Sequence, residues 1–202
     1  MKGMNNEFAD IFGSQRLMAI MRGFSRDRTL QLARTAWELG IECVEIPVQS
    51  ADAVETLAEV VREGRDRGYV VGAGTVTTTD RVRMAAEAGA GFTVAPGFDP
   101  EVAAASFDAG VPHLPGASTA SEIQAVQRFG AVWMKAFPAS ALGPGWFKAM
   151  HGPFPEAQFV ATGGMDARNC GEYLAAGATV VAVGSALEDP SQLELLAGIR
   201  QA

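Results

Sequence analysis

Lys135 sits in "AVWMKAF" (131–137) and Glu45 in "IECVEIP" (41–47), two apolar runs that read as buried strands. The chain has three lysines, Lys2, Lys135 and Lys148, and arginine supplies the rest of its 16 basic residues. Lysine is therefore not scattered casually through this sequence. Burial strips an ammonium of its solvation, so a lysine in such a run must be paired or neutral. A neutral amine is a nucleophile, and a carboxylate beside it can move protons. Each residue alone has a plainer reading. Lys135 can pack its stem and keep its head in water, and Glu45 can form a salt bridge at a strand edge or barrel bottom. Together they are harder to dismiss. Charged groups are almost never buried unpaired, and perturbed groups cluster at functional sites.

Other chemistry-bearing positions close further apolar runs. Arg22 ends "LMAIMR" (17–22), Thr75 follows "YVVGAG" (69–74), and Pro96 and Gly97 close "GFTVAP" and open the next loop. "ATGGMD" carries Thr162, Gly163 and Gly164, and "AVGSAL" carries Gly184 and Ser185. Glycine lets a backbone approach an anion closely, and its N–H groups can hold a phosphate. One Gly-Gly pair is usually only a tight turn. Two such loops after the last two strands of a barrel match the usual phosphate position of that fold.

These residues need a frame that brings strand ends together. Short apolar runs alternate with amphipathic stretches along the chain, giving eight βα units from "LMAIMR" to "TVVAVGS" (179–185) and the helix "SQLELLAGIR". Several helices end in Ala-Gly or Leu-Gly, the left-handed stop before the next strand. The strands are almost continuously apolar, as parallel strands covered on both faces are. The pattern predicts a single α/β domain over 1–202, a (β/α)₈ TIM barrel, with residues 1–15 as an N-terminal helix or extension. A doubly wound open sheet is the alternative. In a barrel the catalytic groups occupy the C-terminal strand ends, which is where the residues above fall.

Bulk properties narrow the function. At 48% hydrophobic and 19% charged, the chain can bury a large core and is no disordered segment. A net charge of -7 without a basic run argues against nucleic acid. No apolar stretch is long enough to span a membrane, and "MKGMNNEFADIFGSQR" is too polar for a signal peptide. Cys43 and Cys170 lie far apart, in elements that read as buried, so they are expected to be free thiols in the cytoplasm. His113 and His151 lack a second ligand at metal spacing and read as structural. Met4, Met18 and Met21 read as packing residues.

The motifs "VEIPVQS", "VGAGTV", "FTVAPGFDP", "LPGASTASEI", "MKAFPAS" and "ATGGMDARN" follow one another over nearly the whole chain. In that order they resemble the 2-keto-3-deoxy-6-phosphogluconate (KDPG) aldolase family, which includes 6-phosphogalactonate and 4-hydroxy-2-oxoglutarate aldolases. The resemblance implies a class I aldolase without metal or cofactor, usually a homotrimer, acting on a small phosphorylated keto acid. It implies Lys135 as the Schiff-base lysine and Glu45 as the proton-transfer residue. Thr75 and Pro96 would lie at the pyruvate end, with Phe137 packed beside the lysine. Gly163, Gly164, Gly184 and Ser185 would hold the phosphate. Gluconate-type enzymes often carry Arg four residues after the strand-2 Glu, where this chain has Gln49. "EIPVQS" and "FPASALGP" resemble the galactonate type, in which an arginine like Arg22 is placed to hold the carboxylate. Thr162 is similar to the gluconate type. From the residues alone, a metal-independent sugar-phosphate isomerase or epimerase, or a non-catalytic phosphate-binding barrel, stays open.

Overall fold

The computed structural model describes residues 4–200, with side chains over 7–199; Lys2 and the side chain of Met4 lie outside the described residues. Helix α1 (Met4–Phe12) precedes strand β1 (Leu17–Ile20), α2 (Arg26–Glu38), β2 (Val44–Pro47), α3 (Ala51–Asp66), β3 (Val71–Gly74) and α4 (Thr79–Glu87). Next come β4 (Thr93–Val94), α5 (Pro100–Asp108), β5 (His113–Leu114), β6 (Gly116–Ala117), α6 (Ala120–Phe129) and β7 (Trp133–Ala136). The chain continues through α7 (Ala139–Leu142), α8 (Pro144–His151), β8 (Gln158–Thr162), α9 (Cys170–Ala175), β9 (Val180–Val183), a 3₁₀ turn (Ser185–Glu188) and α10 (Pro190–Arg200). No helix of the described residues is long and apolar enough to cross a membrane.

All strand pairs are parallel, and the order is β5-β4-β3-β2-β1-β9-β8-β7-β6. The two ends of that order are halves of one stretch, parted only by Pro115. Proline has no N–H and cannot donate to a ladder, which accounts for the break. Its carbonyl still accepts from Lys135 N at 2.8 Å, while Leu114 O accepts from Ala95 N at 3.0 Å. The stretch 113–117 therefore joins β4 on one side to β7 on the other and closes the ring. The expected eight-stranded barrel is present, with its fifth strand in two pieces.

Alternation along each strand separates two apolar layers. Leu17, Ala19, Val44, Ile46, Met134 and Ala136 belong to the layer packed under the helices, and Met21 joins them. Met18, Ile20, Val94, Leu114, Val160 and Val180 fill the barrel interior. Helix α1 closes the N-terminal mouth: Phe8 lies 5.9 Å from Phe92, and Phe12 lies 5.2 Å from Trp133, between ring centroids. Side-chain caps start the helices just beyond the opposite mouth. Ser25, Ser50, Thr78, Asp99 and Thr119 each accept a hydrogen bond from the first turn they precede. Thr119 and Glu122 complete a capping box.

His113 faces outward beneath α5. Its Nδ1 lies 2.8 Å from Thr93 Oγ1, which is 2.7 Å from Ser106 Oγ, and Ser106 donates to Val111 O at 2.8 Å. His151 Nε2 lies 2.9 Å from Gly177 O, on the helical shell. Burial removes solvent from the charged imidazolium and pushes His113 down from 6.5 to about 4, against a weaker opposing pull from Asp99. Between those pH values the unfolded chain binds a proton on this ring that the folded chain does not. Stability should therefore be full above pH 6.5 and fall by about 3 kcal/mol as pH drops towards 4. Urea unfolding of wild type and His113→Gln over this window checks it. The variant should show a clearly flatter pH dependence, whatever its stability at pH 7.

Candidate active site

The Lys135 and Glu45 side chains both point into the barrel from β7 and β2, and they are 2% and 0% exposed. Their register neighbours include two glycines: Lys135 pairs with Gly116, and Glu45 pairs with Gly72. Gly74, two residues on and also inward, makes the room for the carboxylate. A Cβ at Gly74 would lie 2.0 Å from Glu45 Oε1. Gly72 performs the same service one layer down, where a Cβ would lie 2.2 Å from the Phe92 ring. "VGAG" thus leaves two inward gaps in one strand, one filled by an aromatic floor and one by an acid.

Lys135 Nζ and Glu45 Oε1 form an ion pair at 3.8 Å, longer than a hydrogen bond. No protein donor among the described residues reaches either Glu45 oxygen. Buried carboxylates are normally hydrogen-bonded, so this one is an exception that needs a reason. The Lys135 ammonium position also lies 5.4 Å from the centre of the Phe137 ring. Lys135 and Phe137 open onto a cavity of about 510 Å³, which also touches Arg22, Thr162 and the two glycine loops.

The glycine loops form one wall of that cavity. Gly163 and Gly164 adopt φ of 96° and 75°, a region open to glycine at little cost. Gly163 O accepts from Ser140 N at 3.0 Å, and Gly164 O accepts from Asn169 Nδ2 at 2.9 Å. Both carbonyls are thereby tied to the outer structure. In a trans peptide the following N–H lies on the opposite side. Gly184 and Ser185 lie beside them, after β9, and Ser185 opens the 3₁₀ turn.

Arg22 does not end β1, which stops at Ile20. It lies in the following loop, exposed, and reaches sideways across two strands. Its guanidinium donates to Gln49 Oε1 at 3.2 Å and to Thr75 Oγ1 at 3.0 Å. It makes no ion pair with Asp27 or any other described carboxylate. Gln49 and Thr75 are therefore joined to the cavity through Arg22, while Glu45 lies behind Lys135. Pro96 stands apart from the cavity wall. Its carbonyl rests on β6, where a Cβ at Gly116 would lie 2.1 Å from it.

Sequence reasoning did not single out Phe24, Asp166 and Glu188, which also line the cavity. Glu188 is held by Arg28 Nε at 3.5 Å. Nothing in their local sequence separates these residues from ordinary loop residues. Gly74 carried a signal: two inward glycines on one strand imply that larger neighbours occupy the space.

The chain matches the model of the KDPG and KHG aldolase family over residues 9–199. It is 39% identical over 145 residues to 2-dehydro-3-deoxy-phosphogluconate aldolase of Treponema pallidum, covering 71% of this chain and 68% of that protein. It is 33% identical over 175 residues to a probable 2-dehydro-3-deoxy-6-phosphogalactonate aldolase of Rhizobium meliloti, covering 86% and 82%. The crystal structure of KDPG aldolase from Legionella pneumophila, with pyruvate captured as a covalent carbinolamine, superposes with a TM-score of 0.81 at 27% identity, covering 94% of each chain. With an inward lysine and glutamate at the C-terminal mouth of a parallel barrel, this chain belongs to the KDPG and KHG aldolase family.

Proposed function

We propose that Lys135 is the Schiff-base lysine through which this aldolase cleaves 2-keto-3-deoxy-6-phosphogluconate, or its galactonate epimer, to pyruvate and glyceraldehyde 3-phosphate. The observation that carries this reading is the buried Lys135–Glu45 pair, whose lysine lines the cavity. The neutral Lys135 amine adds to C2 of the keto acid and gives a carbinolamine. Loss of water gives an iminium, an electron sink for the adjacent bonds. Glu45 takes the proton of the C4 hydroxyl, the C3–C4 bond breaks, and the aldehyde leaves. The bonding pair remains on the pyruvyl fragment as an enamine. Protonation at C3 restores the iminium, and water releases pyruvate and the free amine. The pyruvate carbinolamine in the Legionella relative supports the order of the first steps.

The two ends of the substrate have separate partners. Arg22 holds the carboxylate, a role that neutral Gln49 cannot fill because it pairs no charge. Thr75 assists it through the hydrogen bond to Arg22. The N–H groups of Gly163, Gly164, Gly184 and Ser185 hold the phosphate at the wall formed by the loops after β8 and β9. Thr162 and Phe137 line the path between, and Pro96 supports the strand under it. We further propose a homotrimer working in the cytoplasm. The free buried thiols Cys43 and Cys170 support the cytoplasmic part of that reading.

Borohydride reduction in the presence of pyruvate should leave a pyruvyl adduct on Lys135, mapped by peptide mass spectrometry. An adduct on Lys148, or none, would remove the Schiff-base assignment and favour the isomerase or binding-barrel readings. Substitution of the carboxylate's clearance is a second check. Gly74→Ala places a methyl 2.0 Å from Glu45 Oε1 and must displace the acid. Turnover should fall by about 10²-fold or more, the usual range for loss of a proton-transfer group. The Lys135 adduct should still form.

A further inference from the structure

Thr75 is the one non-glycine residue with positive φ, 58°, among the described residues. A β-branched side chain rarely adopts this conformation, and such residues persist only where their surroundings hold them. Here the two peptide planes flanking Thr75 are fixed. The plane before it is held because Gly74 O accepts from Val48 N at 2.9 Å. The plane after it is held at both ends. Val76 N donates to Val94 O at 2.9 Å, and Thr75 O accepts from Arg81 Nη1 at 3.2 Å. The same Nη1 donates to Thr77 Oγ1 at 2.6 Å. Arg81 is itself anchored, since its N–H donates to Thr78 Oγ1 at 3.2 Å in the first turn of α4. No described carboxylate pairs with Arg81, so its charge is directed onto these oxygens alone.

We propose that Arg81 is a positioning residue for the carboxylate end of the cavity, acting through Thr75. Its grip on the Thr75 carbonyl keeps the left-handed conformation. That conformation turns the Thr75 hydroxyl onto Arg22 Nη2 at 3.0 Å. Arg22 is thus held from two sides, by Thr75 and by Gln49. Without Arg81 the second peptide keeps only its Val94 bond, and Thr75 can relax to negative φ. The hydroxyl then leaves Arg22, whose guanidinium no longer waits in one place for a carboxylate. The inference rests on reading the cavity as a keto-acid site, with Arg22 at its carboxylate end.

The test is the pyruvate concentration that half-saturates borohydride trapping, followed by intact mass. It is measured for wild type, Arg81→Ala, Thr75→Val and the double variant. Arg81→Ala should raise it about fivefold, the effect of one lost hydrogen bond, and leave the maximal adduct yield unchanged. In the Thr75→Val background the same change should have at most about a twofold effect, because the route through the hydroxyl is already cut. Arg81→Lys keeps the charge and the helix, covers any folding failure of Arg81→Ala, and should show a smaller rise. An equal factor in both backgrounds would mean that Arg81 acts on α4 and not on Thr75, and would overturn the proposal. So would an unchanged half-saturation in Arg81→Ala and Arg81→Lys. If the wild type forms no adduct, the keto-acid reading itself fails and takes this inference with it.

Discussion

The buried contact between Lys135 and Glu45 makes demands on the rest of the barrel. Two ionisable groups at 2% and 0% exposure have left water for an apolar interior. At 3.8 Å they gain less than a hydrogen-bonded pair would. Replacing such a pair with apolar side chains is often neutral or stabilising, so stability alone does not account for it. The fold tolerates the cost because the ring of strands and its helical shell supply a large apolar core. The pair also depends on space. Gly74 leaves the volume that the carboxylate fills, and Gly72 leaves the volume of the Phe92 ring beneath it. Below that ring, Phe8 and Phe12 of α1 pack across the N-terminal mouth.

Around this rigid floor the strand-end loops do the recognition. Their backbones are fixed by hydrogen bonds made away from the cavity. Ser140 and Asn169 hold the glycine loop after β8, and Arg81 holds the turn after β3. Binding groups are therefore positioned before a ligand arrives, which reduces the ordering cost of binding. The cavity offers two kinds of polar group. One is a guanidinium steadied by Gln49 and Thr75, and the other is the backbone of the glycine loops.

Much of this was legible in the sequence, for physical reasons. The alternation of apolar runs with Gly-terminated helices gives the barrel, because parallel strands and amphipathic helices have different periods. Lys135 and Glu45 stood out because each breaks an apolar run. Strand limits were less legible. Arg22 falls beyond β1, whose bonding to β2 ends with Met21 N on Glu45 O at 2.9 Å, and Pro115 splits a strand that reads as continuous. Arg81 was illegible, since an arginine in a first helical turn looks like any solvated charge. Its meaning appears only when Thr75 is seen at positive φ. Phe24, Asp166 and Glu188 reach the cavity by tertiary placement, which no local pattern encodes.

The central claim is that Lys135 and Glu45 work as an amine and a proton carrier on one pyruvyl fragment. Exchange of the pyruvate methyl protons in deuterated water, followed by proton NMR, tests it most directly. Exchange requires both an iminium on Lys135 and a base that moves a proton at C3. Wild type should exchange the methyl protons. Glu45→Gln should exchange about 10²-fold or more slowly while still forming the reducible adduct on Lys135. Exchange at the wild-type rate in Glu45→Gln would show that the buried carboxylate carries no proton and would contradict the account.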